Sequence, residues 1–327
     1  MALSYPLRLA CLIVVSVGLL QTIFELLLWV VAPAILRLVR ALPLRRQERL
    51  LYAIQLIPTV FALAFTAGCL VPQYVSNETN FSAEGVGWIC ILLACLVSVN
   101  WWVRVFYGMA MVVRTSLFGR TCLRGDGVID RGHTQIPVIA IPGATPRVAL
   151  VGLFRPFILI SKSLTEAGGL DPLALDLVLE HERSHAAHRD NWKLLSLHTI
   201  PRLRLSVSKG KTWMQLWQNT AERAADEDAV QGSTSRALRL AETLVALARL
   251  RSTASSPLAC TQFICAATEL ESRIDMLTQS GNHEPSVRGR MPAVEVGLGV
   301  LLLAAAIALL SLAPLLADLP EHILHLG

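Results

Sequence analysis

Four apolar runs are the feature that most restricts how this 327-residue chain can fold; they lie at about 9–31, 50–71, 86–103 and 293–317. As helices they would be about 27–38 Å long, and the hydrocarbon core of a bilayer is about 30 Å thick. Because 54% of the residues are hydrophobic and only 16% are charged, an ordinary soluble protein is excluded. The sequence therefore predicts an α-helical membrane protein with four transmembrane helices in a lipid bilayer.

The distribution of arginine predicts the orientation of these spans. The loop 32–49 contains five arginines, whereas the loop 73–85 contains neither lysine nor arginine. Positively charged loops stay on the cytoplasmic side of a membrane. We therefore expect 32–49 in the cytoplasm and both termini outside.

Three regions follow from this arrangement: 1–113 with three spans, a globular cytoplasmic domain over 114–291, and 292–327 with the fourth span and a short outer tail. Short apolar runs separated by Pro and Gly predict strands at the start of the globular region, at 137–141, 147–152 and 156–161. Later segments have helical periodicity, at 237–251 and 258–277. The polar stretch 279–292 has the composition of a linker.

The globular region contains the motif His181-Glu182-Arg183-Ser184-His185, on a helix predicted to begin at Pro172 after the N-cap residue Asp171. Residues four apart lie on one helical face, so both imidazoles can bind one metal ion. Glu182 lies about 100° round the axis, where its carboxylate can take a proton from a water molecule. The pattern is typical of zinc hydrolases, although it also occurs by chance. Catalytic zinc takes three protein ligands, so a third is needed.

Candidates for the third ligand lie on a second predicted helix, which begins near Thr212 and ends at Gly232. Glu222 and Asp226 share one face of it, so that one carboxylate could bind the metal while the other orients a ligand. The alternative is an ordinary solvated acidic helix. Two histidines and one carboxylate favour a single Zn²⁺ per chain.

These two stretches, with the segment from Gly152 to Ser161, resemble the BlaR/MecR-type membrane metallopeptidases, peptidase family M fifty-six. The resemblance covers about 114–291, and the arrangement of the spans extends it to the whole chain. It implies a gluzincin-like α+β zinc metallopeptidase domain, a small sheet with active-site helices, inserted before the fourth span of a bacterial inner-membrane protein. Full sensors of this family carry an extracellular penicillin-binding domain after that span, which we do not expect here.

The resemblance also implies roles for particular residues. His181, His185 and Glu222 would hold zinc, and Glu182 would be the catalytic base. Asp226 and Asp190 would support the ligands. One edge of the small sheet would lie along the active-site cleft, where a peptide substrate pairs as an additional strand.

The function expected from these features is signal-regulated proteolysis of a cytoplasmic protein. A transcriptional repressor is one candidate substrate, and the chain itself, cut in the linker 279–292, is another. We expect no direct contact with nucleic acid, because the arginines lie in loops beside the spans and form no single patch.

Two alternatives remain open from the sequence. One is a housekeeping membrane protease of the HtpX type, although three spans before the motif and one after it fit the BlaR/MecR arrangement better. The other is a zinc-stabilised membrane receptor or scaffold that cuts nothing. Glu182 argues against the second alternative, because metal binding alone requires no base.

Overall fold

A computed structural model describes most of the chain up to Ser280, in the ranges 5–77, 86–124, 128–130, 136–142, 148–166, 169–203, 205–249, 260–262 and 267–280. The predicted fourth span, 293–317, and nearly all of the predicted linker lie outside the described residues.

Long helices form the amino-terminal third of the protein, in the order α1 (Tyr5–Arg40), α2 (Leu44–Phe65), a π-helical turn (Thr66–Leu70), α3 (Val71–Asn77) and α4 (Trp88–Arg124). Within the part of the chain that the structure describes, three segments are long and apolar enough to cross a membrane: Tyr5–Arg40, Leu44–Ser76 and Trp88–Cys122. These segments support a membrane protein and extend beyond the three predicted spans. Exposed apolar side chains on α4 continue from Trp88 to Leu117.

The remaining elements follow in the order β1 (Val128–Asp130), β2 (Val138–Ile141), β3 (Val148–Val151), β4 (Phe157–Ser161), α5 (Lys162–Thr165), α6 (Pro172–Ala187), α7 (Asp190–Thr199), β5 (Ser206–Ser208), β6 (Lys211–Thr212), α8 (Trp213–Val230), α9 (Thr234–Arg249), β7 (Cys260–Gln262) and α10 (Ala267–Ser280). The three predicted strands are confirmed as β2, β3 and β4. The prediction of helix throughout 258–277 is wrong at β7, because this segment pairs with a distant strand and that pairing overrides its local helical periodicity.

Five strands form the main sheet in the order β1-β2-β4-β3-β7. β2 and β4 are parallel, and the other neighbouring pairs are antiparallel. β5 and β6 form a separate hairpin before α8. The side chains of β3 and β4 are buried throughout, which requires cover on both faces of the sheet.

Helices from two parts of the chain provide that cover. One face, which includes Leu150 and Ile160, packs in a core with Leu177 of α6 and Leu244 of α9. The opposite face packs against the last turns of α4, where a Cβ added at Gly119 would lie 3.1 Å from the ring of Phe157. The sheet is therefore held between a candidate membrane helix and the helices of the globular region.

The candidate membrane helices also share a core with α7 and α8. Leu36 of α1 and Ile54 of α2 belong to one buried cluster with Leu197 and Trp217. Strand β5 contacts α1 as well, because the indole Nε1 of Trp29 donates to the backbone oxygen of Ser206 at 2.9 Å. The globular region is thus packed directly onto the long helices.

Candidate metal centre

The helix α6 begins where the sequence predicts. The side chain of Asp171 accepts hydrogen bonds from the backbone N–H groups of Leu173 and Ala174, both at 3.1 Å, and Pro172 occupies the first turn. These contacts satisfy the backbone donors that a helix start leaves unpaired. The apolar face of α6 fixes the helix under the sheet, and the helix ends at Ala187, so that His181 and His185 lie in its last turns.

His181 and His185 are fully buried, and their Nε2 atoms lie 3.1 Å apart. Each Nδ1 contacts a carboxylate: His181 lies 2.9 Å from Asp226 and His185 lies 2.8 Å from Asp190. When both imidazoles are neutral and donate through Nδ1–H to these acceptors, their two Nε2 lone pairs face each other. Two such lone pairs repel each other, whereas a cation between the two rings would be attracted to both.

Glu222 of α8 completes the group. α8 begins at a capping box in which Thr212 and Gln215 bond to each other's backbone N–H groups. The Glu222 oxygens lie 3.4 Å from His181 Nε2 and 3.5 Å from His185 Nε2, and one donor atom from each residue lies within 4.8 Å of the others. Two donors on one tetrahedral zinc-sized ion are about 3.4 Å apart. The three residues therefore fit one metal ion.

Asp226 and Glu222 are linked by a residue that the sequence did not reveal. Arg273 of α10 is buried, and its Nε and Nη2 donate to Asp226 at 2.7 and 2.6 Å. Its Nη1 donates to Glu222 at 3.1 Å. The available sequence signal was a charge on an apolar stripe, because Arg273 lies between Leu270 and Leu277 at helical spacing.

These contacts keep both carboxylates ionised. Burial alone would raise the pKa of Asp226, but the guanidinium of Arg273 and the bond to His181 lower it to about 2. For Glu222 the balance is similar: burial opposes ionisation, whereas the bond to His181 and the charges of His185 and Arg273 bring the pKa below its ordinary value. An ionised Glu222 is the form that binds a metal.

Asp190 reaches His185 through an unusual turn. Arg189 has φ 56° and ψ 39°, a left-handed conformation that ends the turn after α6 and starts α7. Asp190 then stands in the first turn of α7, where the ammonium group of Lys193 donates to its Oδ1 at 2.9 Å. Burial would raise the pKa of Asp190, but His185 and Lys193 lower it to about 2.

Glu182 is held differently from the metal-binding group. Its Oε2 accepts a hydrogen bond from the backbone N–H of Leu150 in β3 at 2.6 Å, and its buried Oε1 has no hydrogen-bond partner among the described residues. Burial raises the pKa of Glu182 above its ordinary value, and the charges of His181 and His185 offset this only in part. A carboxylate with one fixed and one available oxygen is suited to proton transfer.

The charges around the centre show a deficit of positive charge among the described residues. Five carboxylates are buried there: Glu48, Glu182, Asp190, Glu222 and Asp226. Two cationic side chains, Lys193 and Arg273, bond to four of them, all but Glu182. Bonds to Asp226 and Glu222 outweigh burial, which alone would lower it, and raise the pKa of His181 to about 9. A divalent cation bound at Nε2 would replace the added proton of His181 and supply more of the missing positive charge.

The sheet edge nearest this centre differs from the expectation. The resemblance implies an edge along the cleft on which a peptide could pair, and β3 does lie beside Glu182. However, β7 of the same chain is paired antiparallel with β3, with Thr261 opposite Leu150. β3 is therefore an inner strand, and β7 forms the edge on that side of the sheet.

The structure brings together all six residues predicted for the site: His181, Glu182, His185, Asp190, Glu222 and Asp226. His188, which follows the motif, lies outside the three-donor group; its Nε2 is 3.9 Å from Asp228. The sequence did not reveal Arg273, Lys193 or the backbone N–H of Leu150. Comparison with family models and with curated proteins finds no match, so the function must be argued from these residues.

Proposed function

We propose that this protein is a membrane-embedded zinc metalloendopeptidase that cleaves a cytoplasmic protein in signal-regulated proteolysis. The observation that carries the proposal is the pairing of a three-donor group, His181, His185 and Glu222, with a buried glutamate that has one available oxygen. A purely structural metal site takes four protein ligands and needs no base, whereas a catalytic site keeps one position open.

Two imidazoles and one carboxylate favour zinc among the metals that imidazole suits. Zinc bound there would polarise a peptide carbonyl and lower the pKa of a water molecule to about 7. Glu182 Oε1 takes the proton of the attacking water and passes it to the leaving amine, while Leu150 fixes Oε2. Asp226 and Asp190 orient the imidazoles, and Arg273 restrains Glu222.

A polypeptide substrate is supported by the strand next to Glu182. β3 pairs through its backbone with β7, and an extended peptide could pair in the same manner along the outer edge of β7 or in its place. The five arginines of 32–49 lie at the end of α1 and in the first turns of α2, and they support a cytoplasmic position for the site. The resemblance to BlaR/MecR-type peptidases supports a repressor or the chain itself as the substrate.

The direct test uses the full chain, purified in detergent and loaded with zinc, with Glu182→Gln as the variant. We expect the wild type to cleave proteins of a cytoplasmic extract, and the variant to be slower by about 10²–10⁴-fold, because it loses the general base. Zinc content should be unchanged, since Glu182 is not a ligand. Cleavage fragments are identified by mass spectrometry.

Glu180→Gln is the matched control, because Glu180 lies on the same helix and pairs with Arg183. It should cleave like the wild type. Equal cleavage by wild type and Glu182→Gln would overturn the assignment of the base. Zinc binding without any cleavage would favour the zinc-stabilised receptor or scaffold.

A further inference from the structure

The first turns of α2 contact α6, α7 and α8, three of the helices around the candidate metal centre. Arg45 and Glu48, three residues apart, point towards the globular region. Arg45 donates to the hydroxyl of Ser184 in α6, and to Asp228 of α8 at 2.6 Å. A single turn of a candidate membrane helix is therefore bonded to the motif helix and to the helix that carries Glu222.

Glu48 makes the deeper contact. It is completely buried, and its Oε1 accepts hydrogen bonds from Lys193 Nζ at 2.7 Å and from the indole of Trp217 at 3.0 Å. Its Oε2 has no hydrogen-bond partner among the described residues. A buried carboxylate is costly unless charged or polar groups compensate it, so packing alone does not explain this residue.

The ammonium group of Lys193 continues the contact towards the metal centre. It donates to Asp190 Oδ1 at 2.9 Å, and Asp190 Oδ2 lies 2.8 Å from His185 Nδ1. Glu48, Lys193, Asp190 and His185 thus form an unbroken chain of charge-assisted hydrogen bonds from α2 to a metal-binding imidazole. Such bonds are among the stronger ones in proteins.

We propose that Glu48 is a positioning residue for the metal centre, acting on His185 through Lys193 and Asp190. The inference rests on the proposed function, because it requires His185 to be a metal ligand. Groups that orient a ligand from outside its coordination sphere typically change metal affinity by about 10–100-fold. A displacement of α2 relative to α7 would therefore change the affinity of the site for the metal ion.

The test measures zinc affinity of the full chain in detergent by competition with a chromophoric chelator. Glu48→Ala and Lys193→Met should each weaken zinc binding by about 10–100-fold. The double variant should be no weaker than Lys193→Met alone, because both changes break one path. Glu48→Gln keeps an acceptor for Lys193 and should retain most of the affinity.

Glu25→Ala is the matched control, because Glu25 is an acidic residue of α1 whose hydrogen bonds among the described residues, from Gln21 and from the backbone of Leu203, involve none of the three candidate metal donors. It should bind zinc like the wild type, even if its thermal midpoint falls. Lys193, with a side chain 17% exposed, carries the test if Glu48→Ala does not fold.

Wild-type affinity in both single variants, or losses that add in the double variant, would overturn the role of Glu48 and leave the proposed function standing. A wild-type chain that binds no zinc would overturn the proposed function and this inference together.

Discussion

The outer surface of α4 and the metal centre are opposite environments. Along α4, large apolar side chains such as Leu96, Trp102 and Phe106 are exposed by more than half. In the metal centre, ionisable side chains such as Glu182 and Asp226 are completely buried. Each arrangement would be unfavourable in a water-soluble protein, for opposite reasons.

The two regions differ in what offsets the unfavourable exposure of apolar side chains in one and the unfavourable burial of charges in the other. Lipid can cover an apolar helix whatever the identity of its apolar residues, so α4 should tolerate exchange among them. Buried charges require particular partners at fixed distances, and those partners come from α2, α6, α7, α8 and α10. The metal centre should therefore be sensitive to single changes that the lipid-facing surface would accept.

The largest effect is expected for His185→Ala, which removes one of the three candidate metal donors. Zinc affinity should fall by more than about 100-fold, since loss of an outer partner alone costs about 10–100-fold. Metal content after dialysis of the purified chain measures this. His188→Ala is the control and should keep its zinc; equal loss in both variants would mean that the three-donor group is not the binding site.

The next effect is expected for Arg273→Met, which keeps the length of the side chain and removes its charge. Asp226 and Glu222 would then lose their buried countercharge, which typically costs about 3–5 kcal/mol of stability. Thermal or denaturant unfolding of the full chain in detergent gives the value. Arg239→Met, at an exposed ion pair with Asp171, should change stability little; equal effects would show that the burial of Arg273 is unimportant.

A smaller effect is expected on α4, and it depends on where the membrane ends. Leu96→Arg places a charge within the predicted third span and should cost about 2.5–3.5 kcal/mol of insertion free energy. The predicted third span ends at residue 103, so Leu117→Arg lies beyond it. Leu117 is nevertheless exposed, as Leu96 is. Leu117→Arg should cost much less. A glycosylation-based insertion assay compares the two, and equal costs would extend the membrane boundary to Leu117.

Local signals made much of the fold predictable. The Asp171 cap, the Thr212 start of α8 and the strands β2 to β4 each follow from a few neighbouring residues. The His181–His185 spacing and the face shared by Glu222 and Asp226 likewise depend only on helical geometry. Neighbouring residues determine these features, so the sequence could predict them.

Long-range contacts were not predictable in the same way. Arg273 is marked only as a charge on an apolar stripe, and neither it nor Lys193 has sequence neighbours that identify the helix of its partner. β7 is a strand only because β3 lies beside it. The left-handed conformation of Arg189 is also hidden, since it is typical of glycine. The position of Asp190 depends on that turn, so it could not be predicted from the sequence.

The cluster that joins Leu36 and Ile54 to Leu197 and Trp217 has a practical consequence. Excision of 114–291 as a soluble fragment would strip half of that cluster away and leave the indole of Trp217 and the leucines of α7 facing water. Such a fragment would tend to aggregate, and it would lack Glu48, which accepts a hydrogen bond from Lys193. Biochemistry on this protein should accordingly begin with the intact polypeptide in a micelle or nanodisc.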